Sequence, residues 1–224
     1  MKVSLINHTT APDRTCAEAA YTTVSEKGPS EFGKLTDDRV RKILSSVVSK
    51  GHHAVLEHAY FTFSVEGVSR VLTHQLVRHR IASYCQQSQR YVQFSRLDYI
   101  TPKTIKGAAK EEYEKTMGEL QEKYKRLVDA GVPAEDARYL FPNAAKTNIV
   151  VSMNARSLIN FFNLRCCLRA QWEIQELAYK MLAEVRKVAP VIFENTGPYC
   201  KETGFCRENQ KDCPLYPNEG KNTE

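Results

Sequence analysis

The sequence predicts an α+β fold, a single domain with a mixed or antiparallel sheet flanked by long helices. Three observations carry that expectation. Tyr60–Val65 and Thr147–Met153 alternate along the chain as half-buried strands do. Glu111–Ala130 and Ala170–Val188 repeat apolar residues at helical spacing over several turns. Strands and helices do not follow each other in the regular βαβ order of a doubly wound sheet.

Taken in order, Lys2–Ile6 reads as a short strand. Between Thr36 and Lys50, Val40, Ile43, Leu44, Val47 and Val48 follow helical spacing, with Thr36 or Asp37 as cap and Gly51 as stop. A helix is expected from Ser69 to about Ala82, ending in a dense polar run. A strand is expected over Arg90–Phe94, and Pro102 closes that region. On Glu111–Ala130 the stripe is Tyr113, Met117, Leu120, Tyr124 and Leu127, and the remainder is mostly Lys and Glu, the pattern of a solvated helix over a core. Gly131-Val132-Pro133 breaks it, and Pro133 is placed to start a short helix through Leu140. Arg156–Leu164 and Ala170–Val188 are helical, and Pro190 ends the second. Beyond Gly197 the chain is polar and bears Cys, Gly and Pro, so residues 1–197 read as the domain and 198–224 as a loop-rich tail.

The 224 residues are 42% apolar and 26% charged, which supplies one sizeable core and excludes a disordered tail, a collagen or a coiled-coil rod. Lys plus Arg number 32 against 26 Asp plus Glu, a net charge of +6 that suits an anionic ligand as well as nucleic acid. Met1–Asn7 has one Lys and a short apolar stretch, below the roughly 7–15 apolar residues of a signal peptide. No stretch approaches the ~20 apolar residues of a membrane span. A cytoplasmic protein is expected, and the 7 cysteines, with Cys166 and Cys167 adjacent, read as thiols of a reducing compartment.

Arg78-His79-Arg80-Ile81-Ala82-Ser83-Tyr84-Cys85-Gln86-Gln87-Ser88-Gln89-Arg90-Tyr91 is the most informative segment. Three Arg, one His and two Ser fall between Arg78 and Arg90 with no acid to neutralise them. Guanidinium forks and hydroxyls are what a phosphate cradle requires. On a helix Gln75, Arg78 and His79 would project from one face. A solvated basic helix end and RNA binding, with Tyr84 and Tyr91 stacking on bases, are the alternatives. In a second cluster Arg156, Asn160 and Asn163 form a polar stripe beside Leu158, Phe161, Phe162 and Leu164, where a ligand or a buried salt bridge would satisfy them. Glu135 and Arg138 read as a local helix pair. No metal is expected. His52, His53, Glu57 and His58 lack the H-E-x-x-H spacing, and Cys200, Cys206 and Cys213 are spaced x₅ and x₆ rather than as paired C-x₂-C, so a structural zinc there would need a fourth ligand.

At these residues the sequence resembles the flavin-dependent thymidylate synthases, the thymidylate synthase-complementing family. Arg78-His79-Arg80, seven residues and Ser88 match the family's hallmark, and Arg90-Tyr91 continue it. Gly51-His52, Glu57-His58, Gln75, Gly131-Val132-Pro133, Arg138, Asn154-Ala155-Arg156, Asn160 and Arg165 match in the same order, over roughly residues 35–190. The resemblance implies methylation of dUMP to dTMP, with carbon from methylenetetrahydrofolate and hydride from FAD that NADPH reduces. It implies a homotetramer with flavin at subunit interfaces, and no attacking cysteine. Gln75, Arg78, Gln86, Ser88, Arg90, Arg138 and Arg165 resemble the dUMP set, Arg165 being the catalytic residue that favours ionised uracil N3. His52, Arg78, His79, Arg80, Gln86, Asn154, Arg156 and Asn160 resemble the FAD set.

The chain departs from the family where Cys85-Gln86 replaces the common Asn-Glu, exchanging a carboxylate for an amide, and where Ala54 replaces a hydroxyl residue. Cys85 reads as a small residue rather than a nucleophile. The rival readings are a flavoprotein acting on another nucleotide, an RNA-binding protein and a zinc protein organised by the C-terminal cysteines.

Overall fold

The computed structural model describes residues 1–33, 35–92 and 96–217. In chain order they form β1 (Lys2–His8), α1 (Pro12–Thr22), α2 (Asp37–Ser49), β2 (Tyr60–Ser69), α3 (Arg70–Leu76), β3 (Ser83–Gln86), α4 (Ala108–Asp129), α5 (Ala134–Ala137), β4 (Lys146–Asn154), α6 (Ala155–Arg165), α7 (Trp172–Val188) and α8 (Tyr199–Thr203). The strands pair in the order β1-β2-β4-β3. β1 and β2 are antiparallel: the Thr9 N–H donates to the Tyr60 carbonyl at 2.9 Å, and Lys2 lies 3.5 Å from Glu66 at the far end. β2 and β4 are antiparallel as well, with the Thr62 and Ser152 hydroxyls 2.9 Å apart and the Gly67 N–H 3.0 Å from Asn148 Oδ1. The α+β expectation therefore holds, with the sheet antiparallel in these pairs.

Alternation explains the two central strands. Phe61, Phe63 and Val65 of β2, and Thr147, Ile149, Val151 and Met153 of β4, are buried, while Lys146, Asn148 and Val150 face outward. The chain divides into two units, and β2 and β4 run through both. The first comprises Met1–Lys2, Val65–Arg78 and Tyr84–Val150. Its core is Val68, Leu72, Leu76, Met117 and Ile149, with the Tyr124 ring 4.5 Å from that of Phe141. The second comprises Val3–Ser64, His79–Ser83 and Val151–Glu224. Its core sets Phe61 edge-on to Phe193, Phe193 to Phe162 and Phe162 to Phe161, at 5.5, 6.0 and 5.6 Å between ring centres. α7 buries Ile174, Leu177, Ala178, Met181, Leu182 and Val185 against this core, and Gln171 caps it by accepting from the Glu173 and Ile174 N–H groups.

Two expectations need correction. The helix predicted to Ala82 ends at Leu76, because the Tyr84 hydroxyl donates to the Leu76 carbonyl at 2.8 Å and satisfies a carbonyl that the next turn would have used. Gln75, Arg78 and His79 consequently do not share a helical face. The predicted strand at Arg90–Phe94 is instead a turn over Gln89–Tyr91, held by the Ser88 hydroxyl, which accepts from the Arg90 and Tyr91 N–H groups at 3.0 and 3.3 Å. Gln93 and Phe94 lie outside the described residues. α1, β3 and α8 were not anticipated. No helix among the described residues is long and apolar enough to cross a membrane.

Candidate functional site

In the first unit Ser69 caps α3 by accepting from the Leu72 N–H at 3.1 Å, and the helix delivers Gln75 and, just beyond its end, Arg78. Arg78 is exposed, and its guanidinium has no hydrogen bond or ion pair among the described residues. Half-buried Gln86 donates its amide to the Thr73 and Thr147 hydroxyl oxygens at 3.1 and 3.3 Å. Thr73 already gives its own proton to the Arg70 carbonyl at 3.1 Å, so its oxygen offers only lone pairs. A donor amide fits there and a carboxylate does not, which gives a physical reason for Gln86 in place of the family's acid.

Ser88 forms the turn that presents Arg90, and Arg90 Nε reaches Glu135 at 2.5 Å. Glu135 and Arg138 are therefore not a local ion pair. The carboxylate belongs to Arg90, and Arg138 Nε donates to the Glu135 backbone carbonyl at 2.8 Å. The sequence reading missed Arg70. Its Nη2 donates to the Gln87 carbonyl at 3.2 Å, while its buried Nε has no partner among the described residues. Burial first, and then the Arg138 guanidinium, lower its basicity. Its signal was a cation at the first position of a helix, where the helix dipole disfavours positive charge. Two guanidiniums acting on each other with an orphaned donor form a natural anion site.

In the second unit α6 starts at Asn154, whose side chain is buried and caps the helix by accepting from the Ser157 N–H at 2.8 Å. Arg156 and Asn160 are exposed on α6. Arg156 pairs with Glu57 at 2.6 Å, and this ion pair is about half exposed, unlike the buried bridge weighed from sequence. Asn163 Oδ1 is buried with no donor among the described residues. His52 and Arg80 are exposed and carry no side-chain hydrogen bond among the described residues.

Arg165, the last residue of α6, donates its Nε–H to His79 Nε2 at 3.1 Å, and the His79 ring stands edge-on to Phe161 at 5.0 Å. As an acceptor at Nε2, His79 is neutral. Burial, reinforced by the Arg165 charge, pushes its pKa down to about 4 from the usual 6.5. Between those values the unfolded chain binds a proton that the folded chain refuses. Stability therefore falls as the pH drops from about 6.5 to about 4, with a slope reaching ~1.4 kcal/mol per pH unit from this residue. A His79→Gln variant is expected to show a flatter fall in unfolding midpoint over that range than the parent. An equal slope would mean that the folded chain takes up this proton as readily as the unfolded one.

Of the predicted residues, Gln75, Arg78, Gln86, Ser88, Arg90 and Arg138 lie in the first unit. His52, His79, Arg80, Asn154, Arg156, Asn160 and Arg165 lie in the second.

An α+β protein with the guanidiniums of Arg78 and Arg80 unpartnered among the described residues, and with an orphaned Arg70 Nε, offers donors suited to an anionic ligand. The chain belongs to the thymidylate synthase complementing protein family, which matches residues 4–191. It is 50% identical over 218 residues to a flavin-dependent thymidylate synthase of Geobacter sulfurreducens, covering 95% of this chain and 94% of that one. It is 44% identical over 219 residues to the enzyme of the same name from Pyrococcus furiosus, covering 93% and 90%. Among solved structures, a UMP/dUMP methylase PolB from Streptomyces cacaoi, bound with 5-Br dUMP, shares the fold at a TM-score of 0.75 and 22% identity, over 86% of this chain and 93% of that one.

Proposed function

We infer that the protein is a flavin-dependent thymidylate synthase that converts dUMP to dTMP, taking carbon from methylenetetrahydrofolate and reducing equivalents from NADPH. The carrying observation is that the family's Arg-His-Arg motif presents Arg78 and Arg80 without protein partners among the described residues. The buried orphans support the ligand class: Arg70 Nε lacks the acceptor that a phosphate brings, and Asn163 Oδ1 lacks the donor that a ring N–H brings.

FAD, when bound, supplies the hydride chemistry. His52, Arg80, Arg156 and Asn160 are the residues suited to hold it, since they offer donors on an exposed surface. Arg70 and Arg138 bind the phosphate of dUMP, and the Ser88 turn positions Arg90 beside them. Arg165 faces the uracil and steadies negative charge on it, oriented by the neutral His79 ring. In the proposed homotetramer each site draws residues from several protomers. The chain works in the cytoplasm, with residues 1–197 as its catalytic body.

An absorbance spectrum of the purified protein, taken before and after dUMP, tests this reading. Flavin bands that shift with dUMP, and not with dCMP or UMP, are expected. A colourless protein that FAD does not reconstitute would overturn it.

A further inference from the structure

The tail beyond Gly197 contains the cysteines that the reaction does not use. Over residues 201–214 every side chain is exposed except those of Cys206, Gln210 and Cys213, and Phe205 is 63% exposed. A segment that turns its aromatic ring to solvent and its thiols inward is not organised by hydrophobic burial. Short segments of this kind need a staple. Each tail cysteine opens a tight turn: the Cys200, Cys206 and Cys213 carbonyls accept from the Gly204, Asn209 and Tyr216 N–H groups at 3.1, 3.2 and 2.8 Å. Asn209 holds a left-handed φ of 46°, an uncommon conformation for a residue with a side chain. The turns are tied down by Arg207 stacked 3.5 Å over the Tyr199 ring and by Arg169 at 3.9 Å from Glu208.

Cys200 and Cys206 line a cavity of about 240 Å³ together with Cys167, from the connection between α6 and α7, and the cavity also reaches Asn163 and Arg165 at the end of α6. The Cys167 carbonyl accepts from Gln175 Nε2 at 2.7 Å, which fixes that connection to α7. Cys213 belongs to the same group. Burial raises the Cys200 pKa, and Cys206, Cys167 and Cys213 raise it further, so all four thiols lie within electrostatic reach. Reading the sequence alone, three tail cysteines lacked a fourth ligand, and the fold supplies Cys167.

We propose that Cys167, Cys200, Cys206 and Cys213 ligate an iron–sulfur cluster that clasps the tail to the end of α6. Thiols gathered at one cavity ionise together only when a cation lies among them, and a cluster supplies that charge. Among the described residues no three potential ligands converge closely enough to hold a single metal ion. Tetrahedral zinc needs its sulfurs about 2.3 Å from one point. In a four-iron cluster each thiolate binds a different iron, so the thiols line a cavity rather than meet at one point, and Cys167, Cys200 and Cys206 line one here. Cys213-Pro214 also repeats the Cys-Pro that closes the bacterial ferredoxin run, although the x₅ and x₆ spacings are wider.

The test is iron, acid-labile sulfide and zinc analysis of the full-length flavoprotein purified without oxygen, with Mössbauer spectroscopy of iron-labelled protein. Iron and sulfide in equal amounts, about four of each per chain, are expected. Cys206→Ser and Cys213→Ser should lose both while keeping the flavin, and Cys85→Ser, in the other unit, should keep both. Zinc in place of iron overturns the proposal, as does metal-free protein that does not take up iron and sulfide on reconstitution. Unchanged iron in the two tail variants would also overturn it, and the parent's metal content decides the matter even if those variants do not fold.

Discussion

Arg165→Ala is expected to lower turnover by about 10²–10³-fold, the usual cost of removing one preorganised donor to developing negative charge, while FAD stays bound. The guanidinium ends α6, is partly buried, and makes one hydrogen bond among the described residues, its Nε–H to His79. Because His79 is held neutral, with its pKa at about 4, it orients the fork without adding a competing charge. The remaining N–H groups stay available for the uracil. Partial burial lowers Arg165's own pKa, yet a guanidinium starts so high that it remains a cation. Arg165→Lys keeps the charge and loses the planar fork, and so should recover only a small part of the rate. Steady-state kinetics with dUMP, alongside the flavin absorbance of each variant, read both halves. Near-normal turnover in Arg165→Ala would remove the role assigned to it, and loss of flavin would move that role to cofactor binding.

The elements that could be read from sequence are those whose buried face has one clear period. β2 and β4 alternate, and α2, α4 and α7 carry apolar residues at helical spacing that the fold buries. α1 escaped because the face it buries is built from Pro12, Cys16, Ala17 and Ala20, too small to stand out. The end of α3 escaped because a tertiary contact sets it: no local pattern reveals that the Tyr84 hydroxyl takes the Leu76 carbonyl. The same limit applies at the site. A run of cations without an acid is visible in one dimension, so Arg78, Arg80 and Arg90 could be singled out. Glu135 was assigned to its neighbour Arg138, whereas the fold gives its carboxylate to Arg90. Gln86 departs from the family's acid, and only the fold shows the two threonine hydroxyls that take its amide. Cys167 is distant in sequence from Cys200 and Cys206, and only the fold brings the three to one cavity.

Arg138→Ala should separate the cost of holding two guanidiniums near each other from the gain when the dUMP phosphate, as proposed, lies against them. In the ligand-free protein the Arg70 guanidinium is partly buried, its Nε unpartnered, and the Arg138 charge bears on it. Removing Arg138 loses its hydrogen bond to the Glu135 carbonyl, worth about 0.5–1.5 kcal/mol, and relieves that repulsion. The two effects oppose, so the unfolding midpoint without ligand should stay near the parent's. With dUMP the balance changes, because a phosphate dianion is attracted to both guanidiniums. Loss of one charge-assisted hydrogen bond, about 1.5–3 kcal/mol, raises the dUMP Kd by about 10- to 150-fold. Calorimetric titration and thermal unfolding with and without dUMP measure both arms. Deoxyuridine supplies the control, since without a phosphate it should bind parent and variant alike. A dUMP affinity unchanged in Arg138→Ala, or a loss shared equally by deoxyuridine, would take the phosphate away from this pair of arginines.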